Sequence, residues 1–486
     1  MEQDVKVVKT DEGSKTGQDK CPKCGATDIS LNVSNGKLRC NYCRCEFESE
    51  HINGMVEDIS TLEGEVIGSG ATNINNDAGD VITLKCSSCG AEVVIDTLSS
   101  TQARCHWCRN MLSINEQIPN GAVPDVVLPF GIKKEDAQKA IEAFVGKRKF
   151  FAHPQFKKEF TTQNIMGVYF PYMVIDINAH ANFSGEGEHL KRRYTVQHGN
   201  SSTTYYDADV YEVARDFDVA INGLTVESSA DRRNKANKEK TNNVINAIMP
   251  FDIENSVKYN SNYLKGFTSE KRDSNVDELK PLVMAQAKDV AKFSVNNTLE
   301  NYNRGVCWKT QDVSVKGQQW KAAYLPVWLY SYQEVKGDKK LLHYVAVNAR
   351  TKETMGSVPI HMPKLFLISA LIEVLAFLLM LFVDSDYRWI FLIAGFLYFF
   401  IIYSKYRNQG ARHTYETDTK TNVSNLKSVD KFITTRRGLT NHRINGCNNT
   451  TVTGEKASAT STTKDILNSV VESDSALSFI KNNIKK

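Results

Sequence analysis

The sequence predicts an α+β fold on three observations: four CxxC pairs in the first 108 residues, a central stretch where strand-like alternation frames two helical patterns, and two adjacent apolar runs between residues 365 and 403. Taken in order, these predict two N-terminal zinc ribbons, a cytosolic α+β domain with antiparallel strands, and a two-helix transmembrane hairpin.

Nine of the eleven cysteines lie before residue 109, and eight of them form the CxxC pairs. The first set is Cys21, Cys24, Cys40 and Cys43, and the second is Cys86, Cys89, Cys105 and Cys108. In each, fifteen residues separate the pairs and a Gly-Ala follows the first pair, so one unit recurs at an offset of 65 residues. A tetrahedral zinc ion takes four thiolates, and two CxxC turns brought together across a hairpin supply them. Gly25 and Gly90 can adopt the positive backbone angles such a turn needs. Four protein ligands leave no coordination position for water, which marks both ions, two Zn2+, as structural. Cys45 and His106 are additional donors, read as a bystander thiol and a surface residue, and Cys307 and Cys447 stand isolated.

The polar N-terminus lacks the apolar stretch of a secretory signal, so the thiols are expected in a reducing cytosol. The 60 Lys+Arg against 56 Asp+Glu leave a charge of +4, too even to point to a polyanion. Local basic residues (Lys23, Lys37, Arg39, Arg44, Arg104, Arg109) with Tyr42 and Trp107 as stacking surfaces leave protein contact and nucleic-acid binding both open.

The expected organisation is a disordered N-terminus over 1–20, zinc ribbons over 21–48 and 82–115, and a linker over 49–81. A cytosolic domain over 123–361, a transmembrane hairpin over 364–405 and a polar tail over 406–486 complete it. In the domain, Ala137, Ile141 and Phe144 give helical spacing over Lys134–Val145, and a longer helix is expected over Leu282–Leu299. Alternation after Pro171 predicts a half-buried antiparallel strand. Tyr169–Met173 and Tyr324–Trp328 share a Tyr-apolar-Pro-apolar-apolar order, from either a distant duplication or two similar strand starts. The cluster Glu186, Glu188 and His189 reads as a polar hairpin turn, and RRNKANKEK at 232–240 as a solvated loop.

No phosphate loop, HExxH, GxSxG or dinucleotide-binding GxGxxG is present, so the expectation is a protein without catalytic residues.

Leu365–Val383 spans about 28 Å as a helix, close to the hydrocarbon thickness, and Trp389–Tyr403 about 22 Å. Lys364, Lys405, Arg407 and Arg412 flank the pair and place both chain ends on the cytoplasmic side of a two-pass cell-membrane protein. Glu373 falls near mid-bilayer, bonded to Ser369 or Tyr398 or meeting a polar group of a membrane partner. In the tail, DKFITTRR at 430–437 is expected against the membrane surface. Ile466, Leu467, Val470, Val471, Leu477, Ile480 and Ile484 outline a terminal amphipathic helix.

The CxxCG…CxxC ribbon, LPFGIKKEDAQKAI at 128–141, GVYFPY at 167–172, FSGEGE at 183–188, YLKGF at 263–267, LPVWLYSY at 325–332 and DKFITTRR together resemble a family of bacterial membrane proteins labelled TFIIB-type zinc-ribbon proteins. Members often carry a primosomal or phage replication helicase label, which the missing phosphate loop argues against here. The resemblance implies a membrane anchor in envelope stress. Its implied partners are a small membrane protein, a flotillin-like SPFH protein and phage-shock protein A.

Overall fold

The computed structural model describes residues 5–8, 21–26, 29–50, 58–72, 81–85, 91–96, 103–107, 111–112, 117–118, 124–199, 201–229, 244–264, 266–270, 272–336, 339–381, 388–407, 413–444 and 450–451. The named elements are β1 (Ile29–Asn32), β2 (Lys37–Cys40), β3 (Gly64–Gly68), α1 (Lys134–Gly146), α2 (Pro154–Glu159), β4 (Met166–His198), β5 (Ser201–Glu227), α3 (Val276–Ser294), β6 (Gly305–Lys336), β7 (Lys339–Asn348), α4 (Met362–Met380), α5 (Ala394–Arg407) and β8 (Lys420–Leu439).

Among the described residues a mixed sheet of fifteen strands dominates. Its spine is an antiparallel run in the order β8, β5, β4, β6, β7. β4 has 33 residues and a contour length of about 110 Å, far beyond the usual strand of five or six residues. β3 joins β6 in parallel, with Gly64 opposite Gly317, so the segment expected as a linker contributes a strand to the sheet. A Cβ at Gly317 would stand 2.2 Å from the Leu62 carbonyl oxygen, which is why glycine occupies this crossing.

Strand alternation sorts the near end of the sheet into two buried faces. Tyr169, Tyr324, Trp328, Tyr330 and Tyr332 point to one core with β1, β2 and α1, while Val168, Phe170, Tyr172, Leu325 and Val327 point to the other. Farther along, Met173, Ile175, Ile177, Phe183 and Trp320 are covered by Leu279, Val283, Ala287 and Val290 of α3. α1 matches its expected range within a residue. α3 begins six residues before its expected start and passes through Pro281, where sequence reading stops because proline breaks helix interiors.

The expected α+β class with a two-helix transmembrane hairpin is corrected by this architecture. Among the described residues only α4 is long and apolar enough to cross a membrane. The second apolar run opens in 3-10 turns over Arg388–Ile393 and leaves fourteen residues of α-helix, about 21 Å, short of the hydrocarbon thickness of about 30 Å. α5 nonetheless packs on α4. A Cβ at Gly395 would lie 2.3 Å from the Ser369 carbonyl oxygen, so the helices touch there backbone to backbone. Glu373 accepts a 2.6 Å hydrogen bond from the Gly395 amide at the start of α5, where the helix dipole favours an anion. The expected bonds to Ser369 or Tyr398 are therefore replaced by a backbone cap.

Glu186 and Glu188 lie inside β4 rather than at a turn. A Cβ at Gly185 would stand 2.1 Å from the Cys307 carbonyl oxygen, and one at Gly187 would meet the Tyr302 ring at 2.6 Å, so the glycines of FSGEGEH answer to packing. Glu188 and Arg304 form a buried ion pair at 2.8 Å, and Arg436 of β8 reaches Glu188 at 2.9 Å and Glu186 at 2.7 Å. DKFITTRR thus forms part of β8, an edge strand paired to β5.

Three carboxylates beneath β8 are held below the usual carboxylate range. Lys309 and then Arg436 act on Glu186, Thr435 and then Lys191 on Asp209, and Lys316, Asn425 and His180 on Asp218. A depressed carboxylate adds stability above its unfolded value of about 4 and loses it as pH falls through the folded value. Amides of residues 420–439 are expected to exchange faster at pH 3 than at pH 6, after correction for intrinsic rates, while those of β4 change less. Equal protection of β8 at both pH values would remove this account of its attachment.

Candidate metal centre

β1 and β2 pair antiparallel, with Ile29 opposite Cys40 and Asn32 opposite Lys37. The Cys21 amide donates to the Ala26 carbonyl (2.9 Å) and the Gly25 amide to the Cys21 carbonyl (2.8 Å). The second turn repeats this: the Cys40 amide donates to the Cys45 carbonyl and the Arg44 amide to the Cys40 carbonyl, both at 2.9 Å. Gly25 has φ +75°, as expected, whereas Arg44 takes the equivalent position at φ 60°. A non-glycine residue pays strain there of order 1–3 kcal/mol, and no sequence signal marks Arg44. Across the hairpin, Glu46 accepts from Asn32 (2.9 Å) and Asn35 (2.8 Å), which lock the tip and hold its carboxyl below the usual range.

These turns bring Cys21, Cys24, Cys40 and Cys43 together, with all four sulfurs within 4.8 Å of one another. Cys21 Sγ and Cys43 Sγ are 3.5 Å apart, and Cys24 Sγ and Cys40 Sγ 3.6 Å apart. Zinc–sulfur bonds of about 2.3 Å in a tetrahedron set sulfurs about 3.8 Å apart, so the donor set fits such an ion. Burial opposes ionisation of the Cys21 thiol, but the backbone amides of Cys24 and Lys23, with Cys43 and Cys24 beside it, bring it down to about 6. The Cys43 thiol is pushed up to about 12: the Cys45 amide works against this, and burial and the three other sulfurs outweigh it. A metal ion relieves that crowding of thiolates. Cys45 stays outside the cluster, its thiol 3.8 Å from the Glu46 carbonyl oxygen.

The centre is part of the main core. Cys21, Ile29, Leu38 and Cys40 are buried in the same cluster as Phe130, Tyr169, Trp328, Leu365 and Tyr406. The Lys258 amide donates to the Glu50 carbonyl (2.8 Å) and the Ser49 amide to the Tyr263 hydroxyl (3.3 Å).

Of the second expected set, Cys105 is described and buried, and Cys86, Cys89 and Cys108 lie outside the described residues, as do Gly90 and the loop at 232–240. The strands Val81–Lys85 and Glu92–Asp96 pair with each other, and the latter also pairs antiparallel with Thr268–Glu270 of the large sheet. His106, expected at the surface, is 1% exposed, with Nε2 2.8 Å from Glu270 Oε1. Trp107, expected as a stacking surface, packs edge-on against Phe170 (6.0 Å) and Tyr344 (5.2 Å), whereas Tyr42 is 82% exposed. The two cysteine regions therefore meet opposite faces of one sheet. Cys307, expected to stand isolated, is disulfide-bonded.

Fold and centre define a mixed-sheet protein that carries a four-cysteine cluster able to hold a metal ion and, among the described residues, one helix long and apolar enough to cross a membrane. Over 358 residues, 70% of this chain and 89% of the relative, it is 22% identical to the uncharacterized protein YdjG of Bacillus subtilis (strain 168). No protein-family model matches the chain, and no solved structure matches it.

Proposed function

We propose that this chain is a non-catalytic platform, stabilised by zinc and attached to the membrane through α4, that presents its sheet to protein partners on the cytoplasmic face. The observation that carries the reading is the surface of α4. Phe366, Leu367, Leu371, Val374, Leu375, Phe377, Leu378 and Leu379 are exposed, although Leu365 at its base is fully buried. Such a continuous apolar surface is characteristic of contact with lipid or a partner rather than water. Lys364, Lys405 and Arg407 at the helix bases support a cytoplasmic body. Zinc suits the closed, all-thiolate cluster. The family resemblance supports a small membrane protein, an SPFH protein and a phage-shock protein as partner classes.

Membranes from cells expressing the full chain, washed in alkaline carbonate, test the attachment. Wild-type protein is expected in the pellet, and L371D/L375D in the supernatant, because a charge at mid-helix costs about 2.5–3.5 kcal/mol per residue in a bilayer. Release of wild type by the wash would overturn the reading.

A further inference from the structure

The segment 147–158, which links α1 to α2 and runs through most of α2, supplies no ligand to the centre, yet its first part is fastened to the bases of both apolar helices. The Lys364 ammonium donates to the Phe150 carbonyl (3.0 Å) and stands 3.7 Å from the centre of the Phe150 ring. The His361 amide donates to the Phe151 carbonyl (2.8 Å), the Phe151 amide to the Tyr406 hydroxyl (3.1 Å), and Arg148 Nε to the Lys405 carbonyl (3.2 Å). Residues 148–151 are thereby held where α4 and α5 leave the core, and α2 follows directly in the chain.

What it shows to the outside is basic and aromatic. Phe150 is 59% exposed although its neighbour Phe151 is buried. Lys147, Lys149, Lys157 and Lys158 are all exposed, and among the described residues none of them forms a salt bridge. The nearest acids in sequence are otherwise engaged: Glu142 accepts from Thr162 (2.8 Å) and Glu159 from Gln155 (2.8 Å). Past Lys364 along α4 the exposed side chains are apolar, beginning with Phe366 and Leu367. Cations followed by an aromatic ring and then aliphatic side chains mirror the order of phosphate, interface and acyl chain in an anionic leaflet.

We propose that residues 147–158, with Lys364, form a collar that seats on the headgroups of anionic phospholipids around α4. This rests on the membrane reading above and adds the class of lipid. The lysines supply long-range attraction, the Phe150 ring enters the interface, and Lys364 ties the collar to the helix. An acidic protein and a free phosphate ion are the competing occupants of such a surface.

The test uses the full chain purified in non-ionic detergent, its thermal unfolding midpoint being read with added phosphatidylglycerol, phosphatidylcholine or inorganic phosphate. Phosphatidylglycerol is expected to raise the wild-type midpoint above that in phosphatidylcholine, and inorganic phosphate to leave it unchanged. K147Q/K149Q/K157Q/K158Q should lose at least half of that lipid preference with its midpoint in phosphatidylcholine unaltered, and the corresponding four Lys→Arg changes should retain it. If the quadruple Gln variant does not fold, K149Q/K157Q carries the same expectation with a partial loss. Full preference in the Gln variant, or a phosphate effect equal to that of the lipid, would overturn the collar. Carbonate release of wild type would instead refute the membrane attachment itself, so the two failures are distinguishable.

Discussion

Cys40→Ser is expected to destabilise the whole sheet body, not the ribbon alone. Cys40 is fully buried, pairs with Ile29 across the hairpin, and shares a core with Phe130, Tyr169 and Trp328. The substitution removes one of the four thiols that could hold a metal ion, and metal binding by such clusters is coupled to local folding. Undocking Ile29 and Leu38, both fully buried, would alone forfeit roughly 3–6 kcal/mol of burial. Thermal unfolding followed by tryptophan fluorescence should show a lower midpoint for the entire transition, since Trp308, Trp320 and Trp328 lie in the sheet. Cys45→Ser, whose sulfur is outside the cluster, is expected to leave the midpoint near wild type. An unchanged midpoint for Cys40→Ser would separate the centre from the core.

Glu188→Ala is the second large effect. Glu188 and Arg304 are both almost fully buried, and truncating one leaves the other's charge without its carboxylate partner. Breaking a buried pair in this way typically costs about 3–5 kcal/mol. Arg304 retains the Asn441 carbonyl at 2.7 Å, which offsets part of that, while Arg436 of β8 loses one of its two carboxylates. Denaturant unfolding should show a lower midpoint together with faster hydrogen exchange in β8. Replacing the pair together, as E188L/R304M, should cost less than E188A, because no buried charge is then left uncompensated. A double variant worse than E188A would contradict the assignment of the loss to an unpaired arginine.

The first cysteine cluster is the part most legible in the sequence, because CxxC spacing encodes proximity directly: Cys21, Cys24, Cys40 and Cys43 come together as a group that could hold a metal ion. Local periodicity likewise places α1. What sequence alone did not reveal is pairing between distant segments. Gly64–Gly68 reads as linker because its glycines suggest flexibility, yet Gly68 lies against the Asp125 carboxylate and Asp125 binds the amides of Gly70 (2.6 Å) and Ala322 (2.7 Å). β8 reads as a polar tail because few of its side chains are apolar, and it is held by ion pairs and ladder hydrogen bonds to β5 instead of by burial. His106 looks like a surface residue between two ligands, and only its partner Glu270, 164 residues away, shows why it is buried. Hydropathy finds both apolar runs but cannot tell a continuous α-helix from one that opens in 3-10 turns.

One core joins Cys21, Ile29, Leu38 and Cys40 to Trp328 of the sheet and to Leu365 and Tyr406 at the bases of the two apolar helices. The central claim is that the cysteine centre holds this junction together. Hydrogen exchange on the full chain in detergent, before and after removal of metal by a thiol-competing chelator, tests it directly. The account predicts that protection falls in residues 126–132, 324–332 and 362–368 together with 21–50. Loss confined to 21–50, with the sheet and helix bases unchanged, would contradict it.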